Sequence, residues 1–432
     1  MTGKSYPGLD SSWQRIHTGD SRELLAALPA DARFDLTITS PPYFDAVDYG
    51  VPGQIGYGQD YAGYLRDMEG IFRELHRRTV PSGSLWLVAD TIRDRGRRKP
   101  SRVVPLPFDL AGRAEAAGWS LVDIIIWRKD RTLPWSRPGQ LRNAFEYVLF
   151  FAKGPKFKFK LEEARTTQGL APWWHKYPER YSPLGAAPAN VWDFPIPVQG
   201  SWSNGLMRHQ CPLPPRLVSR IVRMCSDVGD VVCDPFAGVG TVPAVASALG
   251  RRYVAVELNE EAASQFASDV LPFVFGELVE SGGGGRTVEP GFGIVIARLR
   301  HAKLPRVLAR QLRTSGATFT AITVHARPHE PRSAGEFGVG AQTITIYVAP
   351  GDEERVAGLA RDAIKRRPLS KYGIEADIAV VAEASWVQPD DWAAWARIRP
   401  DSPRPVRPTP EDRPSAERPL ILIDLPFEML TW

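Results

Sequence analysis

Apolar strands and amphipathic helices alternate along the first 280 residues, and that alternation leaves few folds open. Ile16-His17-Thr18-Gly19-Asp20 leads into a helix over Ser21 to Leu28, with Ser21 as its N-cap and a stop at Pro29. A strand over Asp35 to Thr39 follows. Tyr61, Tyr64, Leu65, Met68, Ile71, Phe72 and Leu75 then recur at a helical period over Tyr61 to Arg78. Ser82-Gly83 turns the chain into a strand over Ser84 to Ala89. A helix over Leu110 to Ala117 and strands over Trp119 to Trp127 and Phe145 to Phe151 come next. The rhythm resumes after Arg208 with a helix over Pro215 to Met224, a strand over Val231 to Cys233 and a helix over Thr241 to Leu249. A strand over Tyr253 to Glu257 and a helix over Asn259 to Ala267 complete it. Such alternation predicts an α/β fold, a Rossmann-like, doubly wound, mostly parallel sheet.

Two strand ends carry distinctive chemistry. The run Phe34-Asp35-Leu36-Thr37-Ile38 closes on Thr39-Ser40-Pro41-Pro42-Tyr43. Its two prolines fix φ and remove two backbone donors, so the Ser40 and Pro41 carbonyls face outward with nothing in the chain to satisfy them. Beside an aromatic ring, such carbonyls suit a flat heterocycle bearing an exocyclic amine. The second end is Val231-Val232-Cys233-Asp234-Pro235-Phe236-Ala237-Gly238-Val239-Gly240-Thr241, a strand running through a glycine turn into a helix. Small residues there let backbone N–H groups approach an adenosine-type ligand closely. One end reads as a base pocket and the other as a cofactor pocket, a pairing that points to nucleobase amino-methylation.

The pair resembles the S-adenosylmethionine-dependent DNA amino-methyltransferases, in the class where the catalytic motif precedes the cofactor motif. The family's catalytic signature is Asp, Asn or Ser, then Pro-Pro and an aromatic, matched by Ser40-Pro41-Pro42-Tyr43. Its cofactor signature, Asp-Pro-Phe-x-Gly-x-Gly-Thr, is matched from Asp234 to Thr241. The likeness runs over residues 14–275. It implies S-adenosylmethionine as cofactor, double-stranded DNA as substrate, and Ser40, Pro41, Pro42 and Tyr43 as the catalytic set. Ser40 Oγ and the Pro41 carbonyl would accept from the amine, and Tyr43 would stack on the base. On the cofactor side it implies that Asp234 lies near the methionine amino group. Pro235, Phe236, Ala237, Gly238, Gly240 and Thr241 would form the turn, and Glu257 would hold the ribose hydroxyls. Asp20 resembles the family's adenine-contacting acid, and His209 opens a segment resembling the one that closes over the methionine moiety. Ser at the first catalytic position is more like the cytosine-N4 enzymes, since adenine-N6 enzymes mostly carry Asp or Asn there. An adenine-N6 enzyme and an inactive DNA-binding module are the alternatives. Asp45 and Asp48 follow the motif closely, near enough in sequence to bring a carboxylate to the pocket.

Residues 153–205 break the alternation and match the family's target-recognition region by position. Alternating Lys and Phe in Lys156-Phe157-Lys158-Phe159-Lys160 predict a strand with one apolar face and one basic face turned to DNA. Arg93, Arg95, Arg97, Arg98, Lys99 and Arg102 cluster in a loop suited to phosphate contacts. Charge supports a polyanionic partner: residues 51–200 hold 23 Lys and Arg against 15 Asp and Glu, so the chain's net charge of +5 is concentrated there.

Cys211, Cys225 and Cys233 lack paired spacing and a His partner, so neither a disulfide framework nor a metal site is expected, and a reducing cytoplasm is. No leader segment is expected at the N-terminus, and the longest apolar run, around Ile124 to Trp127, is too short to span a bilayer. The expected organisation is a methyltransferase domain over 1–280 and a glycine-rich linker over 281–290. An α+β domain over 291–398 and a Pro-rich, charged linker with a terminal strand over 399–432 follow. Strands are expected over Gly293 to Leu299, Ala317 to Ala326, Thr343 to Ala349 and Ile374 to Val381, with helices over Lys303 to Arg313 and Asp352 to Arg367. The C-terminal domain is expected to serve as a dimer surface, a partner-binding module or an additional DNA clamp.

Overall fold

In the computed structural model the alternation becomes an eight-stranded sheet covered by helices on both faces. The described residues are 14–93, 102–130, 141–166, 177, 182, 185–197, 212–280, 292–327, 341–366, 375–387, 395–397, 409, 411, 414–417 and 419–424. The chain divides into two units, Met1–Ala164 with Pro188–Arg286, and Arg165–Ala187 with Thr287–Trp432. The expected linker at 281–290 lies outside the described residues. The second unit also takes residues 165–187 from the middle of the expected insertion.

In the first unit the elements run β1 (Ile16–Thr18), α1 (Ser21–Ala27), β2 (Phe34–Thr39), α2 (Tyr61–Arg78) and β3 (Thr79–Ala89). A small ribbon, β4 (Ile92–Arg93) and β5 (Val103–Val104), precedes α3 (Leu106–Ala116), β6 (Ser120–Arg128), β7 (Phe145–Ala152) and β8 (Val191–Asp193). Then come α4 (Pro215–Cys225), β9 (Val231–Asp234), α5 (Thr241–Ala248), β10 (Arg252–Glu257), α6 (Glu260–Gln265) and α7 (Leu271–Phe275). The sheet order is β1-β10-β9-β2-β3-β7-β6-β8; β1 through β3 are parallel, and β7 is antiparallel to both its neighbours.

A sheet covered on both faces buries a strand's side chains at nearly every position. All six residues of β2 are buried, the polar Asp35, Thr37 and Thr39 among them. Successive β3 side chains divide between two cores: Trp86 and Val88 pack with Leu217, Val218 and Ile221 of α4. Leu85, Leu87 and Ala89 pack with Tyr64, Met68 and Phe72 of α2. Each such large side chain contributes about 1.5–3 kcal/mol by leaving water. The buried Arg78 at the end of α2 bonds Glu74 and the Leu28 and Pro29 carbonyls just past the end of α1.

Two local readings change, at the start of α1 and within β3. Asp20, not Ser21, caps α1, accepting from the Arg22 N–H at 2.8 Å. The Ser21 hydroxyl instead donates to the Pro235 carbonyl. Ser82-Gly83 lies inside β3 rather than turning into it, where β2 and β3 shift register between Phe34 and Leu36. A Cβ at Gly83 would stand 2.7 Å from the Asp35 carbonyl oxygen, so only glycine lets the strands meet there.

The Lys–Phe segment is not a strand. Phe157 and Phe159 pack on Phe150 with ring centroids 5.4 and 5.7 Å away. Lys158 pairs with Asp227 and Asp230, and Lys160 with Asp227 at 2.9 Å. On the expected DNA face, Lys158 and Lys160 are therefore engaged in a partly exposed ion-pair cluster with the turn before β9. Lys156 stays exposed beside it.

The second unit contains α8 (Phe292–Thr314), β11 (Ala321–Arg327), β12 (Ala341–Val348), α9 (Glu353–Lys365), β13 (Glu375–Ala382), β14 (Trp395–Arg397) and β15 (Leu420–Asp424). Its sheet order is β13-β12-β11-β15-β14. Ile322, Val324, Ile344 and Ile346 pack with Leu304 and Leu308 of α8 and Val356 of α9. The strand expected over Gly293 to Leu299 is instead the start of α8. A short run of β-branched residues does not distinguish a strand from a helix by periodicity. The terminal strand docks parallel to β11. Among the described residues, no helix is long and apolar enough to cross a membrane.

Candidate active site

Sheet order, not sequence order, builds the site. β2 lies beside β9 in parallel, with Thr37 paired to Cys233, so the ends carrying Ser40 and Asp234 leave the same edge of the sheet. The Thr39 hydroxyl donates to Asp234 Oδ1 at 2.8 Å across 195 residues of sequence. Ligands in open α/β sheets bind at such carboxyl ends.

A cavity of about 320 Å³ opens there, lined by Ser40, Pro41, Pro42 and Tyr43 together with Asp20, Asp234, Phe236, Ala237, Gly238, Thr241 and Glu257. The two strand ends read separately from sequence thus share one pocket. Pro235 and Gly240 shape the turn from outside the lining. Gly240 has φ 95°, and a Cβ there would stand 2.4 Å from Phe266, so the turn admits no side chain. Pro212 and Leu213 line the cavity, whereas His209 at the head of their segment lies outside the described residues.

The Pro-Pro turn is braced from behind. The Pro42 carbonyl accepts from the Phe44 N–H at 2.9 Å and from the Tyr64 hydroxyl at 2.8 Å. Phe44 holds φ 51°, a left-handed conformation uncommon for a non-glycine residue, and packs against Tyr61 and Tyr64. Among the described residues no hydrogen bond to the Pro41 carbonyl is formed.

The acids differ in state. Asp234 is fully buried, and desolvation pushes its carboxyl up to about 7 against the Thr39 and Phe236 hydrogen bonds, with Glu257 adding repulsion. Burial also raises the Glu257 carboxyl, opposed by N–H bonds from Asn259 at 2.8 Å and Gly238 at 2.7 Å. The neighbouring Leu258 N–H opposes the shift as well. Burial alone would raise the Asp20 carboxyl, but the Arg22 side chain, its backbone N–H and its charge together outweigh it and hold the group below its ordinary value.

Sequence reasoning missed a polar group from the far side of the sheet. Trp127 and Lys129, at and just beyond the end of β6, and Glu146 of β7 also line the cavity. The Tyr43 hydroxyl donates to Glu146 Oε2 at 2.9 Å, and Lys129 Nζ donates to Glu146 Oε1 at 2.8 Å. Burial, then the Glu146 carboxylate, pushes the Tyr43 phenol well above its ordinary value. The one available signal was a lone acid inside the apolar strand Phe145-Glu146-Tyr147-Val148. Asp45 and Asp48, the carboxylates suspected from sequence, are not among the lining residues. Asp48 instead accepts from the Gly50 N–H at 2.8 Å. Of the arginine cluster, Arg93 and Arg102 flank the β4–β5 ribbon, while Arg95, Arg97, Arg98 and Lys99 lie outside the described residues.

The model of a DNA methylase family, N6_N4_Mtase, matches residues 34–268, a span that takes in both strand ends. The chain belongs to this DNA methylase family. Among curated members it is 30% identical to the Type II methyltransferase M.SmaI of Serratia marcescens over 282 residues, covering 60% of this chain and 90% of that one. It is 28% identical to M.ScaI of Streptomyces caespitosus, over 60% of this chain and 81% of the relative. Among solved structures, the cytosine-N4-specific PvuII DNA methyltransferase aligns at 18% identity and a TM-score of 0.46, over 67% of this chain and 99% of that one. The family match ends at residue 268, before the second unit's sheet begins.

The pocket fits the nucleoside-sulfonium cofactor of such methylases. Its volume falls within the range of small-molecule sites, about 300–1,000 Å³. Among the described residues the buried Thr241 hydroxyl in the lining has no hydrogen-bond partner, and α5 begins there with no side-chain cap, so polar groups remain for a ligand.

Proposed function

We propose that this methylase transfers the methyl group of S-adenosylmethionine to the exocyclic N4 of cytosine within a short sequence of double-stranded DNA. The observation that carries the reading is Ser40, an uncharged hydroxyl, 3.2 Å from the Tyr43 phenol where an acid would otherwise sit, next to the uncommitted Pro41 carbonyl. S-adenosylmethionine supplies a methyl group already activated on a sulfonium. The chain must therefore bind, orient and exclude water.

In this reading Ser40 Oγ and the Pro41 carbonyl accept from the two N–H bonds of the base's amine. Withdrawing those hydrogens into the pocket wall turns the nitrogen lone pair toward the methyl group. Tyr43 packs on the base. Reaching the pocket requires the base to leave the duplex stack, which costs a few kcal/mol. Contacts to phosphates from the arginine-rich stretch beginning at Arg93 offset that cost, and Lys158 and Lys160 take no part. Asp234 receives the cofactor's amino group, and Glu257 accepts from the ribose hydroxyls. The Type II relatives suggest a modification role.

Nucleoside mass spectrometry of DNA from cells expressing the full chain is expected to show N4-methylcytosine. N6-methyladenine as the sole product would overturn the base assignment and leave cofactor and fold in place. DNA bound but never methylated would favour an inactive module. Separately, Glu257→Ala is expected to weaken cofactor binding by about 1–3 kcal/mol, the scale of charge-assisted hydrogen bonds. Calorimetric titration checks it, and an unchanged affinity would mean that other groups hold the ribose.

A further inference from the structure

Three side chains of the cavity wall form a chain whose direction can be deduced. Ser40 Oγ lies 3.2 Å from Tyr43 Oη, and either atom could donate on distance alone. A phenol has one proton. Tyr43 gives that proton to Glu146 Oε2 at 2.9 Å. Glu146, ion-paired to Lys129 at 2.8 Å, is a carboxylate and only accepts. The contact between Ser40 and Tyr43 must therefore run from the serine hydroxyl to the phenol oxygen. Ser40 Oγ then has no hydrogen left for the cavity and presents lone pairs alone.

Lys129 gives the arrangement its permanence. Its ammonium holds Glu146 Oε1, which leaves Oε2 for Tyr43. On its other side stands Asp90, 3.6 Å away, which in turn accepts from the Asn143 side-chain amide. Lys129 and Glu146 are 13% and 15% exposed, shielded enough for the pair to stay fixed. Neither belongs to the Pro-Pro motif: Glu146 comes from β7, and Lys129 follows the end of β6.

We propose that Glu146, held by Lys129, is a positioning residue that sets the direction of the chain Ser40→Tyr43→Glu146 and makes Ser40 Oγ an obligate acceptor for the amine of the target base. The inference rests on the proposed methylation of a base amine. It adds a device for orienting the serine hydroxyl, so that no donor meets the incoming N–H.

Glu146→Gln tests it by reversing the chain. Lys129 would keep the amide oxygen, turning the amide N–H₂ to Tyr43. Tyr43 would then donate to Ser40, and the serine hydrogen would point into the pocket. With the full chain, unmethylated genomic DNA and tritium-labelled S-adenosylmethionine, kcat is expected to fall about thirtyfold, with cofactor affinity and melting midpoint unchanged. Tyr43→Phe removes the link that transmits the reversal. The double variant Tyr43→Phe/Glu146→Gln should therefore be faster than Glu146→Gln alone, by about fivefold. A structural role for Glu146 would make the double variant slower still. Wild-type kcat in Glu146→Gln, or a double variant no faster than it, overturns the inference. If the wild-type protein labels no DNA, the methylation reading fails. The direction is then decided by neutron diffraction of deuterium-exchanged crystals. A Ser40 deuteron aimed at Tyr43 supports it, and a Tyr43 deuteron aimed at Ser40 overturns it.

Discussion

Replacing Ser40 with Ala is expected to lower methyl transfer by about 10²–10³-fold while S-adenosylmethionine binds as before. The exocyclic amine is conjugated into its ring and is a poor nucleophile until its hydrogens are drawn out of the plane. Ser40 Oγ is one of two acceptors proposed to do this, and Ala leaves an N–H facing a methyl group in a partly buried pocket. Cofactor affinity should survive because the glycine turn is anchored separately, through Asp234 to Thr39 and through Gly238 to Glu257. The diagnostic pattern is a loss in kcat with an unchanged calorimetric dissociation constant. Wild-type turnover would remove Ser40 from the catalytic role, and a matching loss in cofactor affinity would show that the two strand ends are not separable.

Asp234→Asn is expected to weaken cofactor binding about 100-fold at pH 8, because hydrogen-bonded charge pairs are worth about 1.5–3 kcal/mol and the new amide presents a donor to an ammonium. The variant keeps an oxygen for Thr39 and Phe236, so the turn itself should stand. The wild-type protein should show a pH dependence that the variant lacks. Burial raises the Asp234 carboxyl to about 7, so below that pH it is neutral and attracts the amino group weakly. Affinity should fall by up to roughly tenfold per pH unit below 7, and fall again above about 8 as the cofactor's α-amino group loses its own proton. Stability of the free protein runs the other way. The folded chain holds this proton more tightly than the unfolded chain, whose carboxyl has the ordinary value of 3.8. The stabilising contribution is therefore complete below that value and is lost as pH rises to about 7. Calorimetric titrations between pH 5.5 and 8.5, in wild type and variant, check the affinity arm. Parallel slopes would show that another group titrates.

Helix α2 illustrates what periodicity conveys: seven apolar positions in helical register gave the bounds Tyr61–Arg78, and the structure has the same ones. Such patterns are legible because burial of one face is a property of the segment itself. The start of α8 shows the limit, since a short apolar run serves strand and helix alike. Charged side chains were harder still. Lys158 and Lys160 read as a DNA-facing stripe, yet they pair with Asp227 and Asp230, some 70 residues away. Glu146 and Lys129 carried no motif, because their placement beside Ser40 is a product of strand order. The sequence names which groups are ionisable, and the tertiary fold decides which partner each one meets.

The seam between β2 and β9 has a consequence for how the protein is made. Synthesis proceeds at about 5–20 residues per second, so roughly 10–40 s separate the emergence of β2 from that of its neighbour β9. Once β3 has emerged it can cover one side of β2, while the other side remains an open strand edge with unpaired backbone groups. The nascent methylase thus carries an open edge at the place where the cavity will later form. Its yield in a cell should depend on how well that edge is sheltered until residue 234 arrives.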